Sequence, residues 1–187
     1  GFGHQLMRFQ SSADSFGSGK GTILFCDVWD YSGMFTNRSV QDVAAQMNEF
    51  YEACGAAVEN NSGLVLRYVG DALLSAFSDK GHADSAVAAA IELHTRLEGK
   101  NQAWAARGLP ALRVGVGISS GYIEFGALGQ DVNMAARIEK LTRDNGARIL
   151  LGQSTQEQLT NPASLRSLGP FALKGIEQEI EVFEVLL

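Results

Sequence analysis

The stretch Leu66-Arg-Tyr-Val-Gly-Asp-Ala-Leu-Leu-Ser-Ala-Phe77 places a Gly-Asp pair between two apolar runs. This pattern predicts a tight β-hairpin with Gly70 and Asp71 at its tip, because both residue types tolerate the positive φ that such turns need. A carboxylate held at a hairpin tip is rigid and faces solvent, so it can serve as a metal ligand. Gly-Asp hairpins are also common where there is no site. A functional interpretation therefore depends on a second carboxylate and on the role of Arg67.

The composition is that of an ordinary globular domain. The chain has 187 residues, of which 45% are hydrophobic and 19% charged, and its formal net charge is −6. This length suits one domain with a full core. The acidic balance argues against a nucleic-acid partner, but it allows a small anionic substrate held by a few local cations.

Cysteine usage and hydropathy bear on the compartment. Cys26 lies in an apolar run and Cys54 on a predicted helix face. Their positions predict two buried free thiols and a reducing environment. No apolar run reaches the length of a membrane span and no signal peptide is visible, so we expect a cytoplasmic protein with no membrane partner.

Periodicity along the chain predicts the element order β-α-β-β-α-β-α-β-α-β-β. Residues 1–20 are expected to form a flexible N-terminal arm and residues 21–187 a single domain. The helices are predicted over about residues 39–60, 82–98, 131–143 and 153–160, and the strands over about 22–26, 64–77, 112–118, 148–151 and 168–187. Helices that cross a mostly antiparallel sheet indicate an α+β fold of ferredoxin-like type.

Asp27 and Asp71 form the first candidate site. Asp27 ends a predicted central strand and Asp71 tips the neighbouring hairpin, so the two carboxylates can meet at one edge of the sheet. Two carboxylates without His or Cys suit hard cations such as Mg²⁺ or Mn²⁺, which usually bind together with substrate phosphates. The segment from Trp29 to Met34 is expected to offer free backbone N–H groups to an anion, with Asp30 as the N-cap of its turn.

Asn133 and Arg137 form the second candidate site. They are four residues apart on one predicted helix, so they share a face. An amide beside a guanidinium can hold a ribose and a phosphate in which charge is developing. An exposed helix face with an ordinary arginine shows the same pattern, so this pair alone does not decide a function.

Together these motifs resemble those of the class III nucleotidyl cyclases, the adenylate and guanylate cyclase catalytic domain. The resemblance covers about residues 21–187 and rests on four ordered stretches. They are Ile23-Leu-Phe-Cys-Asp-Val28, Arg67-Tyr-Val-Gly-Asp-Ala-Leu-Leu-Ser-Ala-Phe77, Gly129-Gln-Asp-Val-Asn-Met-Ala-Ala-Arg-Ile-Glu139 and Leu173-Lys-Gly-Ile-Glu-Gln-Glu-Ile-Glu-Val-Phe183.

The resemblance implies the cyclase homology fold, two divalent cations (Mn²⁺ or Mg²⁺), and a head-to-tail homodimer with active sites at the interface. Asp27, Asp71 and the carbonyl of Val28 would bind the metals. Asn133 would orient the ribose and Arg137 would stabilise the transition state. The remaining substrate-binding residues are expected to be Arg67, Trp29, Asp30, Tyr31, Ser32, Gly126 and Lys174.

Two positions depart from the family pattern. Arg67 stands where adenylate cyclases carry Lys and guanylate cyclases Glu, and Gly126 stands where Asp, Thr or Cys is usual. Arginine only donates hydrogen bonds, which favours a base edge rich in acceptors such as that of uracil, and its bulk favours the smaller ring. The stretch between residues 121 and 129 is also short, so the usual dimerisation arm looks truncated.

These departures resemble the bacterial pyrimidine cyclases of Pycsar antiphage defence and indicate conversion of UTP to 3′,5′-cyclic UMP. Two alternatives stay open. Arg67 could be a conservative replacement of Lys in an adenylate cyclase that makes cAMP from ATP. The domain could also be a catalytically silent dimerisation or nucleotide-sensing module.

Overall fold

A seven-stranded sheet forms the centre of the computed structural model, which describes residues 19–123, 130–161 and 164–187. The strands are β1 (Lys20–Val28), β2 (Leu64–Val69), β3 (Ala72–Phe77), β4 (Val114–Tyr122), β5 (Ile149–Gly152), β6 (Leu165–Phe171) and β7 (Ile180–Val185). Their spatial order is β2-β3-β1-β4-β5-β7-β6. Among the described strands only β4 and β5 pair in parallel, which confirms the mostly antiparallel sheet.

The helices are α1 (Val40–Asn60), α2 (His82–Ala106), α3 (Gln130–Asp144) and α4 (Gln153–Gln156), and a 3₁₀ turn spans Tyr31–Phe35. The unit β1-α1-β2-β3-α2-β4 with the spatial order β2-β3-β1-β4 is the predicted ferredoxin-like arrangement. Ser39 caps α1 as expected, since its Oγ accepts from the backbone N–H of Asp42 at 3.1 Å. No helix of the described ranges is long and apolar enough to cross a membrane.

The sheet separates two packing layers. Successive side chains of a strand point to opposite faces. Cys26 of β1 belongs to the main core, which α1 and α2 cover. Ile23 of the same strand packs instead with Ala135 of α3. Asp27 is four residues after Ile23, so its carboxylate lies on the α3 face of the sheet.

Helix α3 lies directly on β4 at Gly117. A Cβ at Gly117 would stand 2.2 Å from the carbonyl oxygen of Ala135 and 2.4 Å from the backbone nitrogen of Glu139. Both contacts are with backbone atoms, which cannot rotate away, so only glycine fits here. This close approach fixes the height of α3 above the sheet and therefore the positions of its side chains relative to β1.

Two predicted boundaries were wrong. Lys20 was assigned to the N-terminal arm, but it is the first residue of β1 and pairs with Tyr122. Helix α2 was expected to end near residue 98 and instead runs to Ala106. Trp104, which is fully buried, holds its last turns in the core. Residues 1–18 lie outside the described part of the chain.

The C-terminal part of α2 is also tied to the sheet through a side chain. The amide of Asn101 accepts a hydrogen bond from the backbone N–H of Leu112 at 2.8 Å and donates to its carbonyl at 3.0 Å. This pairing fixes the segment that enters β4. Cys26 and Cys54 are both free and buried, as predicted.

Candidate active site

The predicted hairpin is formed by β2 and β3, and Gly70 and Asp71 make its turn. Gly70 has a φ of 56°, in the left-handed region that favours glycine. The strand pairing places Asp27 opposite Ala72, next to the turn. The backbone N–H of Val28 donates to the carbonyl of Asp71 at 3.0 Å. The structure therefore brings the ends of β1 and of the hairpin together.

Asp27 carries a carboxylate oxygen without a partner. Its Oδ1 is buried and has no hydrogen-bond partner within the described ranges. Burial, and then the nearby charge of Asp71, raise the pKa of the Asp27 carboxyl to about 6. An unpartnered buried acceptor of this kind costs about 1–3 kcal/mol. A cation shared by the two carboxylates would remove that cost.

The donors expected at this point are two carboxylates and, from the family resemblance, the backbone carbonyl of Val28. This set fits Mg²⁺ or Mn²⁺, which prefer oxygen ligands and complete their coordination with water and substrate phosphates. Within the described ranges there is no group of three or more His, Cys, Asp or Glu side chains able to hold a metal. A divalent cation held by Asp27 and Asp71 would therefore need backbone carbonyl, water or substrate phosphate oxygens as its other ligands.

Glu139 is an acidic residue of this site that the sequence analysis missed. It lies on α3, is only 4% exposed, and its side chain contacts that of Asp27. Burial, and then the charge of Asp27, raise the pKa of Glu139 to about 8. Glu139 is therefore mostly protonated at neutral pH and donates to the Asp27 carboxylate.

The helical pattern contained a signal for Glu139. The buried positions of α3 are spaced three and four residues apart, and they are Ala135, Ile138, Glu139 and Thr142. A glutamate at an inward position of an amphipathic helix needs a polar partner, because burying it alone is costly. Here that partner is Asp27, on the strand beneath the helix.

Changing Glu139 to Gln should alter how stability depends on pH. Between pH 4.5 and 8 the folded protein holds a proton on Glu139 that the unfolded chain has lost, so stability falls as pH rises. Gln cannot ionise, so the variant does not lose this stability. From pH 5 to pH 9 we expect the free energy of unfolding of the native chain to fall by about 1–3 kcal/mol relative to that of the variant. Urea unfolding with EDTA measures this difference. Glu177→Gln, at an exposed carboxylate, is the control, and parallel pH profiles for Glu139→Gln and the native chain would contradict the prediction.

Asn133 and Arg137 both lie on α3, where Asn133 is exposed and Arg137 partly buried. The Arg137 guanidinium rests against the turn between β6 and β7, because its Nη2 is 3.3 Å from the place that a Cβ on Gly175 would occupy. Lys174, which is exposed, precedes that glycine. Arg137 and Lys174 are thus neighbours.

The two functional sides of α3 point in different directions. Arg137 and Glu139 are two residues apart and so stand about 200° apart around the helix axis. Glu139 contacts Asp27 of its own chain, so Arg137 points away from it. Arg67 is exposed on the edge strand β2, and it pairs with Leu74, whose side chain packs on the α3 face. Arg67 therefore lies on the same face of the sheet as Asp27.

The segment after Asp27 differs from the prediction of an open row of N–H groups. The N–H of Trp29 donates to the carbonyl of Arg113 at 2.7 Å and is not available to an anion. Its indole Nε1 donates to Thr142 Oγ1 at 3.2 Å, which anchors the ring against α3. These groups bond to the residue before β4 and to α3, because the sheet brings both partners close to Trp29.

Asp30 occupies the N-cap position of the 3₁₀ turn but makes no side-chain cap. It has a φ of 56°, and its carboxylate lies next to Gly33. Tyr31 packs edge-to-face on Phe35, with ring centroids 5.3 Å apart, and Ser32 is exposed. Gly126, predicted to lie near the base, is outside the described residues.

A cleft of about 710 Å³ opens beside Trp29 and Asp30. Three arginines line it, and among its described lining residues Asp30 is the single carboxylate. The arginines are Arg38, Arg113 and Arg143. In a chain of net charge −6, such a local excess of positive charge suits an anionic ligand. The sequence analysis missed this cleft because its cations come from three separate segments.

Comparison with known proteins agrees with the geometry. The family model described as the adenylate and guanylate cyclase catalytic domain matches residues 17–186. The chain is 27% identical over 180 residues to adenylate cyclase 1 of Rhizobium meliloti, covering 88% of this chain and 27% of that protein. It is 32% identical over 182 residues to an adenylate cyclase of Anabaena cylindrica, covering 88% and 36%. The chain thus spans well under half the length of either relative.

The fold has close counterparts among solved structures. The adenylyl cyclase CyaB from P. aeruginosa superposes with a TM-score of 0.80 over 90% of this chain and 94% of that chain, at 23% identity. The guanylyl cyclase Cya2 superposes with a TM-score of 0.78 over 90% and 93%, again at 23% identity. These likenesses establish a common fold, and the family model spans most of the sequence. The chain belongs to the adenylate and guanylate cyclase catalytic domain family.

Proposed function

We propose that this domain is a nucleotide cyclase, which converts a nucleoside triphosphate into its 3′,5′-cyclic monophosphate and pyrophosphate. The observation that carries this proposal is the proximity of the Asp27 and Asp71 carboxylates. The Oδ1 atom of Asp27 is buried there and has no hydrogen-bond partner among the described residues. The arginine-lined cleft at Trp29 and Asp30, which follow Asp27 closely in the chain, supplies the positive charge that a triphosphate needs. The adenylate cyclase names of the two relatives support the same reaction class.

In this reaction the ribose 3′-hydroxyl oxygen forms a bond to the α-phosphorus, and the bond from that phosphorus to the bridging oxygen breaks. The electron pair of the broken bond leaves with pyrophosphate, and the proton of the 3′-hydroxyl passes to water. Divalent cations, when bound, supply activation of the hydroxyl and neutralisation of phosphate charge. Asp27, Asp71 and the carbonyl of Val28 are the residues that would hold them. Glu139 donates to Asp27 and so fixes its orientation.

We place the other half of each site on a second copy of the chain. Within one chain Arg137 points away from Asp27, and Arg67 is exposed at the sheet edge. A head-to-tail homodimer would bring the four residues Arg67, Asn133, Arg137 and Lys174 of one protomer to the acidic pair of its partner. Arg137 would then meet the charge that develops on the α-phosphoryl oxygens, and Asn133 would orient the ribose.

Two assignments of the base are possible, and we favour UTP. Arg67 presents only donors, and uracil presents carbonyl oxygens to them. By its resemblance to the Pycsar cyclases, the product would be a second messenger of antiphage defence. The adenylate cyclase names of both relatives favour ATP instead. A silent module fits less well, because the full set of Asp27, Asp71, Asn133 and Arg137 is present.

A nucleotide panel tests the proposal. We expect incubation with Mn²⁺ and each of ATP, GTP, CTP and UTP to yield cyclic UMP as the main product by mass spectrometry. Arg67→Lys should lower UTP turnover about tenfold and raise the share of cyclic AMP, because Lys offers one mobile donor group in place of a planar fork.

Arg96→Lys is the matched control, since Arg96 is paired with Glu92 on α2 at 2.8 Å and lies outside the site. It should leave the product distribution unchanged. A clear preference of the native chain for ATP would contradict the pyrimidine assignment. Folded dimers that form no cyclic product from any of the four nucleotides would contradict the enzyme.

A further inference from the structure

Arg38 is partly buried, and two nitrogens of its guanidinium have no hydrogen-bond partner among the described residues. It lies between the 3₁₀ turn and α1, and these two nitrogens, Nη1 and Nη2, are both buried. Burying a guanidinium unpaired is strongly unfavourable. The ion pairs found among the described residues involve three other arginines, Arg96, Arg107 and Arg166. Arg38 is therefore held in a position that an anion would stabilise.

The anion that suits this position is a short phosphate chain. Arg38 lines the cleft of about 710 Å³ together with the exposed Arg113 and Arg143. Planar guanidinium forks match pairs of phosphate oxygens. The single carboxylate among the described lining residues, Asp30, leaves the cleft with a net positive charge.

The position of the cleft decides which phosphates it receives. Trp29 and Asp30, which line the cleft, directly follow the proposed metal-binding residues Asp27 and Val28. If the α-phosphate lies at Asp27 and Asp71, then the β- and γ-phosphates extend from it toward the cleft. The phosphates that leave as pyrophosphate are thus the ones closest to the three arginines.

We infer that Arg38 binds the terminal phosphates of the triphosphate and holds the pyrophosphate after cyclisation. This inference rests on the proposed function and adds to it a residue outside the four sequence motifs. The electron pair of the broken bond goes to pyrophosphate, so the charge facing Arg38 increases during the reaction. Its hydrogen bonds are then stronger to the transition state and product than to the bound substrate.

Calorimetric titration tests this role without turnover. Magnesium pyrophosphate and uridine monophosphate are titrated into the native chain, Arg38→Met and Arg96→Met at one fixed Mg²⁺ concentration. We expect Arg38→Met to bind pyrophosphate at least tenfold more weakly, while its affinity for the monophosphate changes less than twofold. Arg96→Met, which removes an exposed paired charge, should match the native chain.

The melting temperature separates a binding role from a structural one. Met keeps the apolar stem and removes the unpaired charge, so Arg38→Met should melt at the same temperature as the native chain or higher. Arg38→Lys keeps the charge but loses the fork, and we expect a severalfold loss of pyrophosphate affinity. If Arg38→Met does not fold, the pyrophosphate affinity of Arg38→Lys decides whether Arg38 has a binding role.

Unchanged pyrophosphate affinity in the folded variants would overturn the inference, and so would an equal loss for the monophosphate. Because binding is measured directly, this failure is distinguishable from failure of the proposed function. The latter would appear as absent turnover of the native chain in the nucleotide panel.

Discussion

Changing Asp27 to Asn is expected to lower pyrophosphate release by about 10³-fold or more, the largest effect predicted for this chain. A divalent cation contributes several kcal/mol of charge stabilisation to phosphoryl transfer, and each 1.36 kcal/mol corresponds to about a factor of ten in rate. Asn keeps the shape of Asp27 but removes the negative charge that would hold the cation. The measurement is a steady-state pyrophosphate assay with the preferred nucleotide and Mn²⁺.

The same substitution should not harm the fold. In the metal-free protein Asp27 is destabilised by burial and by the neighbouring charge of Asp71. Removing its charge relieves both, so we expect the melting temperature to stay equal or rise. Asp144→Asn, at an exposed carboxylate at the end of α3, is the matched control and should stay active. Near-native activity of Asp27→Asn would exclude Asp27 as a metal ligand.

Short-range sequence signals predicted the parts of this molecule that depend on neighbouring residues. The turn at Gly70 and Asp71, the cap at Ser39 and the helix that carries Asn133 and Arg137 each follow from a few adjacent residue types. The neighbouring positions of β1 and the hairpin followed from the predicted ferredoxin-like type, because that unit has a limited number of arrangements.

The features that were missed depend on contacts between distant segments. Glu139 became part of the site only when α3 was fixed on β4 at Gly117, which brings it to Asp27. The cleft arginines meet because three separate segments converge. Helix α2 runs beyond the predicted end near residue 98, because the buried Trp104 holds its last turns in the core.

In the proposed dimer, the location of α3 would let one helix serve two sites. Its inward face carries Glu139, which contacts Asp27 of its own chain. Its opposite side carries Arg137, next to the exposed Lys174. The hairpin has the same property in the proposed dimer, where Asp71 serves its own chain and Arg67 the partner. In that dimer each active site takes its acidic pair from one chain and its arginines from the other, so activity requires association of two chains.

Changing Arg137 to Ala is expected to lower the turnover rate by about 10²–10³-fold, the usual effect of removing one group that stabilises developing charge. The arginine is needed in the transition state more than in substrate binding, so KM should change little. Arg137→Ala and Asp27→Asn should each be inactive alone for different reasons, because their lesions lie on opposite halves of a shared site.

Mixing these two variants should therefore restore activity. In a head-to-tail dimer of one chain of each kind, one site carries both lesions and the other carries none. With random exchange of protomers, half of the dimers are mixed and each has one intact site, so we expect about a quarter of the native activity. A mixture of Asp27→Asn with Asp71→Ala is the matched control, since both lesions fall on the acidic half and every site is damaged. Failure of the first mixture to recover, with exchange verified by mass spectrometry, would place Arg137 and Asp27 of one chain in the same site and contradict the shared-site dimer.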